Sequence, residues 1–233
     1  MRGTILQPTY LPWSGFFEMI DATDVFVVYD HVQFARKTWQ KRNKIKGSSG
    51  MEYLSIPVKK SPLKTPITDI QISYDRGSPL IEHWDTLQHK YKKAQHFQQY
   101  FDDFAAVYNT KFDFIRDLNV ELIKTICRVL GIETKFIYSS ELGLDDESLG
   151  KTERVINLCQ KAGLSYLYDA KGAEGFLEQE MFDKANIEVK FQDYTPLDYP
   201  QLYGAHIGYL SVVDMLFNVG EETLDMIRAG KLS

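Results

Sequence analysis

Residues 4–29 decide the fold. They read Thr4-Ile5-Leu6, then Gln7-Pro8-Thr9-Tyr10-Leu11-Pro12-Trp13-Ser14-Gly15-Phe16-Phe17, then, after Glu18 to Asp24, Val25-Phe26-Val27-Val28-Tyr29. Thr4–Leu6 is a short apolar strand. The next segment cannot be an ordinary strand or helix: Pro8 and Pro12 each fix φ, remove a backbone donor and drive Gln7 and Leu11 out of helical space. Phe16–Ala22 predicts a helix with Gly15 at its mouth. Val25–Tyr29 is a continuous β-branched and aromatic run, which suits a strand covered on both faces. Strand, stiff aromatic loop, short helix and strand make the opening unit of an α/β protein, where the loop after the first strand faces the ligand.

The chain after this unit continues the alternation. Asp30–Lys46 is polar and basic and reads as a loop or edge segment, closed by a turn at Gly47-Ser48-Ser49-Gly50. Tyr53–Val58 predicts a strand, and Ile70–Tyr74, with apolar residues at 70, 72 and 74, a further short one. His83–Tyr108 predicts a long helix with Trp84, Leu87, Tyr91, Ala94, Phe101, Phe104 and Tyr108 on one stripe. Lys111–Leu130 predicts a second, stopped by Gly131. Strands at Lys135–Tyr138, Tyr166–Tyr168 and Glu188–Gln192 alternate with helices at Thr152–Ala162 and Glu174–Ala185. A last helix spans Ser211–Asn218, with Ser211 as its cap and Gly220 as its stop. The expected class is α/β, a mostly parallel sheet of Rossmann-like layout with a central helical insertion. Residues 1–233 are expected to form a single domain, with a helical subdomain at about 80–131 inserted in the α/β part.

Composition narrows the function. The chain has 233 residues, 44% apolar and 25% charged, which is ordinary for a globular protein with a sizeable core. The net charge of −5 argues against duplex nucleic acid as a partner. Tyr and Phe number 14 each, so aromatics either fill the core or offer stacking faces for sugars or bases. Cys127 and Cys159 sit among apolar neighbours in predicted helices and read as buried free thiols. No apolar stretch is long enough for a membrane span and none resembles a signal peptide, so a cytoplasmic location is expected.

Several local patterns compete for a functional role. Gly150-Lys151-Thr152 resembles the end of a phosphate-binding loop, but the preceding Gly143 is wrongly spaced and Asp145, Asp146 and Glu147 oppose an anion. What remains is a helix start at which Lys151 touches some anion, or one that is simply solvated. His89 and His96 fall away from the apolar stripe and read as solvated; with His83 they give no metal-ligand spacing. No metal site and no cofactor motif is read. Arg36, Lys37, Lys41, Arg42, Lys44 and Lys46 form a dense basic cluster around Trp39 and Gln40. It is either a solubilising edge or a site for a phosphorylated small ligand, with Arg forks on phosphate and Trp39 on a ring. Asp30 and His31 follow the strand 25–29 and are candidate acid–base groups, although neighbours in extended chain point apart, so Asp30 could instead anchor the turn. Ser139 and Ser140 end another strand with no base paired to them in sequence.

Together these pieces resemble a known family. Gln7-Pro8, Tyr10-Leu11-Pro12-Trp13, Gly15-Phe16-Phe17, Asp24-Val25-Phe26-Val27, Asp30, Val32-Gln33-Phe34, Trp39-Gln40, Arg42-Asn43 and Ile56-Pro57-Val58 come first. Tyr199-Pro200-Gln201 and Leu210-Ser211-Val212-Val213-Asp214-Met215-Leu216-Phe217-Asn218-Val219-Gly220 follow near the end. The chain is similar to the WbqC-like family of bacterial proteins over nearly its whole length. The resemblance implies a place among surface-polysaccharide and O-antigen genes, and attachment of glycine or another aminoacyl group to a nucleotide-linked amino sugar. The alternative is a non-catalytic sugar- or nucleotide-sugar-binding protein of the same pathway. The expected catalytic residues are Asp30 and His31. The expected binding residues are Gln7, Tyr10, Trp13, Gln33, Arg36, Trp39, Arg42, Tyr199 and Gln201, and the partner is a phosphorylated or nucleotide-linked sugar. The chain departs from the family pattern at Leu6, where many members have His, and at His206 and Gly208, where an aromatic and a proline are frequent. The opening layout is also similar to that of pantothenate synthetase, an adenylate-forming ligase, but the His-x-Gly-His nucleotide signature is absent.

Overall fold

A computed structural model of the chain describes residues 1–35, 38–144 and 148–231. In chain order its elements are β1 Arg2–Leu6, α1 Ser14–Asp21, β2 Val25–Val28, β3 Arg42–Gly47, β4 Gly50–Ser55, α2 Pro79–Tyr91, α3 Phe101–Tyr108, α4 Ile115–Leu130, β5 Lys135–Tyr138, α5 Lys151–Lys161, β6 Tyr166–Asp169, α6 Gln179–Lys184, β7 Glu188–Phe191, α7 Val212–Val219 and α8 Thr223–Ala229. Five strands form one parallel sheet in the order β5-β2-β1-β6-β7. The chain builds from β1 to β2 and β5, then crosses to the other side of β1 for β6 and β7. This is a doubly wound, Rossmann-like order, and its switch point lies between β1 and β6.

β2 shows why the sheet is covered on both faces. All four of its residues are buried. Phe26 and Val28 point into a large core shared with α1, α2, α4 and α7, while Val25 and Val27 point into a smaller one shared with Leu158 and Cys159 of α5 and Phe182 of α6. Each such side chain contributes about 1.5–3 kcal/mol relative to exposure. Cys127 and Cys159 are buried free thiols, and burial pushes both up to about 12. No helix among the described residues is long and apolar enough to cross a membrane.

The structure corrects several boundaries. Arg42–Gly47, expected within a loop or edge segment, is a strand that pairs antiparallel with Gly50–Ser55 around the turn at 47–50. Ile45 and Leu54 are buried beneath this hairpin, while Arg42 and Lys44 alternate outward, and their charge hides the period of two. The expected helix His83–Tyr108 is broken: α2 starts earlier, at Pro79, and ends at Tyr91, and a 3-10 turn at Phe97–Tyr100 leads into α3. The apolar stripe survives the break, because Ala94, Phe97 and Phe104 stay buried while the His96 N–H turns to the Phe217 carbonyl. The next helix begins at Ile115, because the Ile115 N–H bonds the Ile70 carbonyl and the Asp113 carbonyl accepts from Ile72. Ile70–Tyr74 therefore makes isolated bridges to residues 58 and 114 rather than a strand. Of Glu174–Ala185 only Gln179–Lys184 is helical, and α8 follows α7 unforeseen.

Candidate functional site

The loop after β1 is fixed by polar side chains from three directions. The Asn43 Nδ2 amide donates to the carbonyls of Tyr10 (3.1 Å) and Leu11 (2.7 Å), and Asn119 of α4 donates to those of Pro8 (3.0 Å) and Gln40 (2.7 Å). The Tyr10 N–H bonds the Trp39 carbonyl, the Val212 N–H that of Pro12, and the Ser211 N–H that of Lys44. The hairpin, the loop and the start of α7 are thus laced together. Leu11 is held at φ 43°, a left-handed conformation that costs energy for a side chain of its size.

Between these segments lies a pocket of about 230 Å³, lined by Thr9, Trp13, Phe16, Trp39, Asn43, Lys44 and Tyr209. Trp39 is 45% exposed and Tyr209 56% exposed, so large rings stand open to solvent at its mouth. The Trp13 ring lies 5.5 Å from that of Tyr209 and meets Tyr194 edge-on. Gly15 makes room for Trp13: a Cβ there would come within 2.4 Å of the indole. Tyr209, at φ 57°, is a second strained residue presented to the pocket. The Lys44 ammonium sits 5.4 Å from the Trp39 ring centre, and the Arg42 guanidinium 4.8 Å from that of Tyr53.

A second cluster lies at the carboxyl ends of β2 and β5. Asp30 is fully buried, and its carboxylate accepts from Ser139 Oγ (3.0 Å), the Ser140 N–H (3.0 Å) and Ser140 Oγ (3.0 Å), with the Arg116 guanidinium at 3.5 Å. Ser139 Oγ also accepts from the Asp30 N–H and lies 2.7 Å from His31 Nδ1. The hydroxyl has one proton, and the carboxylate is the stronger acceptor. His31 Nδ1 is then the donor to Ser139. Asp30 therefore acts as an anchor that orients Ser139 and, through it, His31. Ser139, only 1% exposed, is held too tightly to serve as a nucleophile. Adjacency in sequence hid this pairing, because Ser139 stands more than a hundred residues from its base.

The remaining expected site residues divide. Gln7, exposed at the end of β1, accepts from the Gln40 Nε2 amide (2.7 Å) and so joins the strand ends to the pocket wall. Gln33 is exposed and bridges to Pro66. Tyr10 is a correction: it is fully buried, its hydroxyl bonds His83 Nδ1 and the Tyr108 hydroxyl (2.7 Å each), and no ligand can stack on it. His83, expected only to lack ligand spacing, is a core group that burial lowers to about 4. Tyr199 and Gln201 are occupied inside the protein. The Tyr199 hydroxyl donates to Asp214 (2.9 Å), and Gln201 bonds Lys46 and the Ile207 backbone. Arg36 and Lys37 lie outside the described residues, as do Asp145, Asp146 and Glu147. The start of α5 is closed to an anion, because Glu153 accepts the Gly150 N–H (2.7 Å) and Lys151 lies over Phe176.

Two groups named in the sequence, Lys46 in the basic cluster and Asp214 in the closing motif, take buried structural roles that sequence reasoning did not assign. Lys46, 1% exposed, donates to Gln201 Oε1 (3.0 Å) and to the Gly204 and Ala205 carbonyls, clamping the loop that leads to Tyr209. Asp214, held above the usual carboxylate range by burial, accepts from Tyr91 (2.7 Å) and Tyr199 and ties α7 to α2. Among the described residues no three His, Cys, Asp or Glu side chains gather to hold a metal ion.

The residues that line this pocket all fall within the span that a family model matches: the model described as the WbqC-like protein family covers residues 7–226. The chain belongs to the WbqC-like protein family. It is 35% identical over 227 residues to the uncharacterized protein Rv1507c of Mycobacterium tuberculosis, covering 96% of each chain. No solved structure matches it. Within this WbqC-like chain, the departure at His206 is conservative in shape. The imidazole packs edge-on against Tyr199 at 5.2 Å, as an aromatic ring would, and bonds Asp198 through Nδ1.

Proposed function

We propose that this protein is a transferase of surface-polysaccharide biosynthesis that attaches glycine or another aminoacyl group to a nucleotide-linked amino sugar. The observation that carries the reading is the pocket of Trp13, Trp39 and Tyr209 with Lys44 at its wall. Open aromatic faces suit the apolar face of a sugar ring, and polar neighbours such as Asn43 and Thr9 suit its hydroxyls. In this reading the sugar amine attacks the acyl carbonyl, a C–N bond forms, and the bond to the acyl leaving group breaks. The amine proton passes to His31, oriented by Ser139 and Asp30. No metal or cofactor is part of the proposal.

Isothermal titration of nucleotide-linked amino sugars into the wild type and Trp39→Ala tests the pocket. Binding by the wild type, weakened at least about tenfold in the variant, is expected. Equal affinity in both would remove the pocket from the account. A second reading, binding without catalysis, is favoured by the burial and full hydrogen bonding of Asp30. It predicts that His31→Ala keeps function in cells while Trp13→Ala loses it. Loss in both variants, with folding intact, supports the transferase.

A further inference from the structure

We infer that the outer face of β3 is a phosphate subsite, in which Arg42 and Lys44 take the phosphate groups of the ligand whose ring enters the pocket. This rests on the pocket reading above and extends it beyond the pocket's edge. Arg42 and Lys44 are two apart on one strand and so share a face. Their cross-strand partners on that face are Ser55 and Tyr53. No carboxylate stands on this face of the hairpin: Glu52 belongs to the opposite one and is paired with Lys90 at 2.6 Å. Although the chain carries 32 acidic residues, neither Arg42 nor Lys44 has an ion-pair partner among the described residues.

Both cations are instead laid over rings, Arg42 on Tyr53 and Lys44 on Trp39, while Tyr53 and Trp39 stack 6.4 Å apart. Arg42 Nε is buried with no hydrogen-bond partner among the described residues. Edge strands carry Lys and Arg for solubility. Solubility does not explain a guanidinium seated on an aromatic face with a buried donor left unmade, which is costly without an acceptor. A phosphate supplies the missing counter-charge, and the planar fork of Arg matches its oxygens.

Size points the same way. The pocket's 230 Å³ falls below the roughly 300–1,000 Å³ of sites that enclose drug-sized ligands. One ring fits, and the rest of a nucleotide-linked sugar must lie outside. Lys44 belongs both to the pocket lining and to the outer face, so a phosphate leaving the pocket meets it first and Arg42 next.

The test uses the full chain and four probes in calorimetry: inorganic pyrophosphate, N-acetylglucosamine, its 1-phosphate and its uridine-diphosphate ester. The proteins are the wild type, Arg42→Gln, Lys44→Gln and Trp39→Ala, each checked for an unchanged thermal midpoint. In the wild type, affinity is expected to climb from the free sugar to the diphosphate ester. Arg42→Gln should flatten that climb and weaken pyrophosphate about tenfold or more. Trp39→Ala should weaken the sugars and spare most of the pyrophosphate affinity. Unchanged pyrophosphate binding and an unchanged climb in both Arg42→Gln and Lys44→Gln overturn the subsite. Arg42-dependent pyrophosphate binding without any sugar binding keeps the subsite and overturns the ring-in-pocket reading. No binding by any probe at millimolar concentration overturns both.

Discussion

The pocket of Trp13, Trp39 and Tyr209 and the cluster around Asp30 flank the same end of the sheet, yet they are built on opposite terms. In the cluster every polar atom of the carboxylate is already answered from within the protein, by two serines, a backbone N–H and Arg116. In the pocket, rings stand exposed and the nearby cations Arg42 and Lys44 rest on aromatic faces without a counter-ion among the described residues. A saturated network spends its bonds on holding one geometry, whereas an unsaturated surface keeps them for a ligand. In the proposed reading the cluster is the orienting device and the pocket the receiving one.

The sharpest way to break this contrast is to empty the cluster. Asp30→Ala leaves the Ser139 and Ser140 hydroxyls and the Ser140 N–H without their acceptor, while Arg116 keeps Asp117 at 2.8 Å, and a loss of about 2–4 kcal/mol in urea unfolding is expected. A loss below 1 kcal/mol would mean that the cluster organises nothing. Lys46→Met comes next. It keeps the aliphatic stem but removes the donor from Gln201 and two carbonyls, so a loss of about 1–3 kcal/mol is expected. Ligand affinity should fall with it, because the loop carrying Tyr209 is released.

Acid gives a third test. Burial lowers His83, beneath the pocket loop, to about 4, so as pH falls below 6.5 the unfolded chain takes up the proton first and stability drops until about pH 4. Burial raises Asp169, at the end of β6, to about 6, so the folded chain takes up that proton first and stability grows over the range from 6 down to 3.8. The two oppose each other. His83→Gln removes the loss alone, so its unfolding free energy should fall less than the wild type's on going from pH 6.5 to 4, by on the order of 2 kcal/mol. Parallel pH profiles would show that His83 does not titrate in this way. Trp39→Ala should have the smallest effect on stability, within about 1 kcal/mol, because nearly half of its surface is already in water. A large loss there would make Trp39 a structural residue and erase the contrast.

Much of this architecture is legible along the chain. β2 is a continuous apolar run, β5 follows Lys135 with Phe136, Ile137 and Tyr138, and Gly131, at φ 75°, stops α4 where a helix stop was expected. The break after α2 was not legible, because residues 92–96 carry no Pro or Gly and the buried stripe runs through the 3-10 turn without losing phase. β3 was masked by its own cations. At the site, Trp13 and Trp39 were found from the oddity of aromatics among prolines and basic residues. Tyr10 shares that signal and lies in the core, since local sequence does not say on which side of a loop a ring falls. Ser139 and Ser140 reach Asp30 only because β5 lies beside β2, and Arg116 reaches it from α4; no local pattern carries that information.

The most direct test of the central claim is a crystal of this protein soaked with a nucleotide-linked amino sugar. The account predicts the sugar ring between Trp13, Trp39 and Tyr209, with its phosphates on Lys44 and Arg42. Density for the ligand elsewhere, for example in the groove between α5 and α6, with the pocket empty, would contradict it.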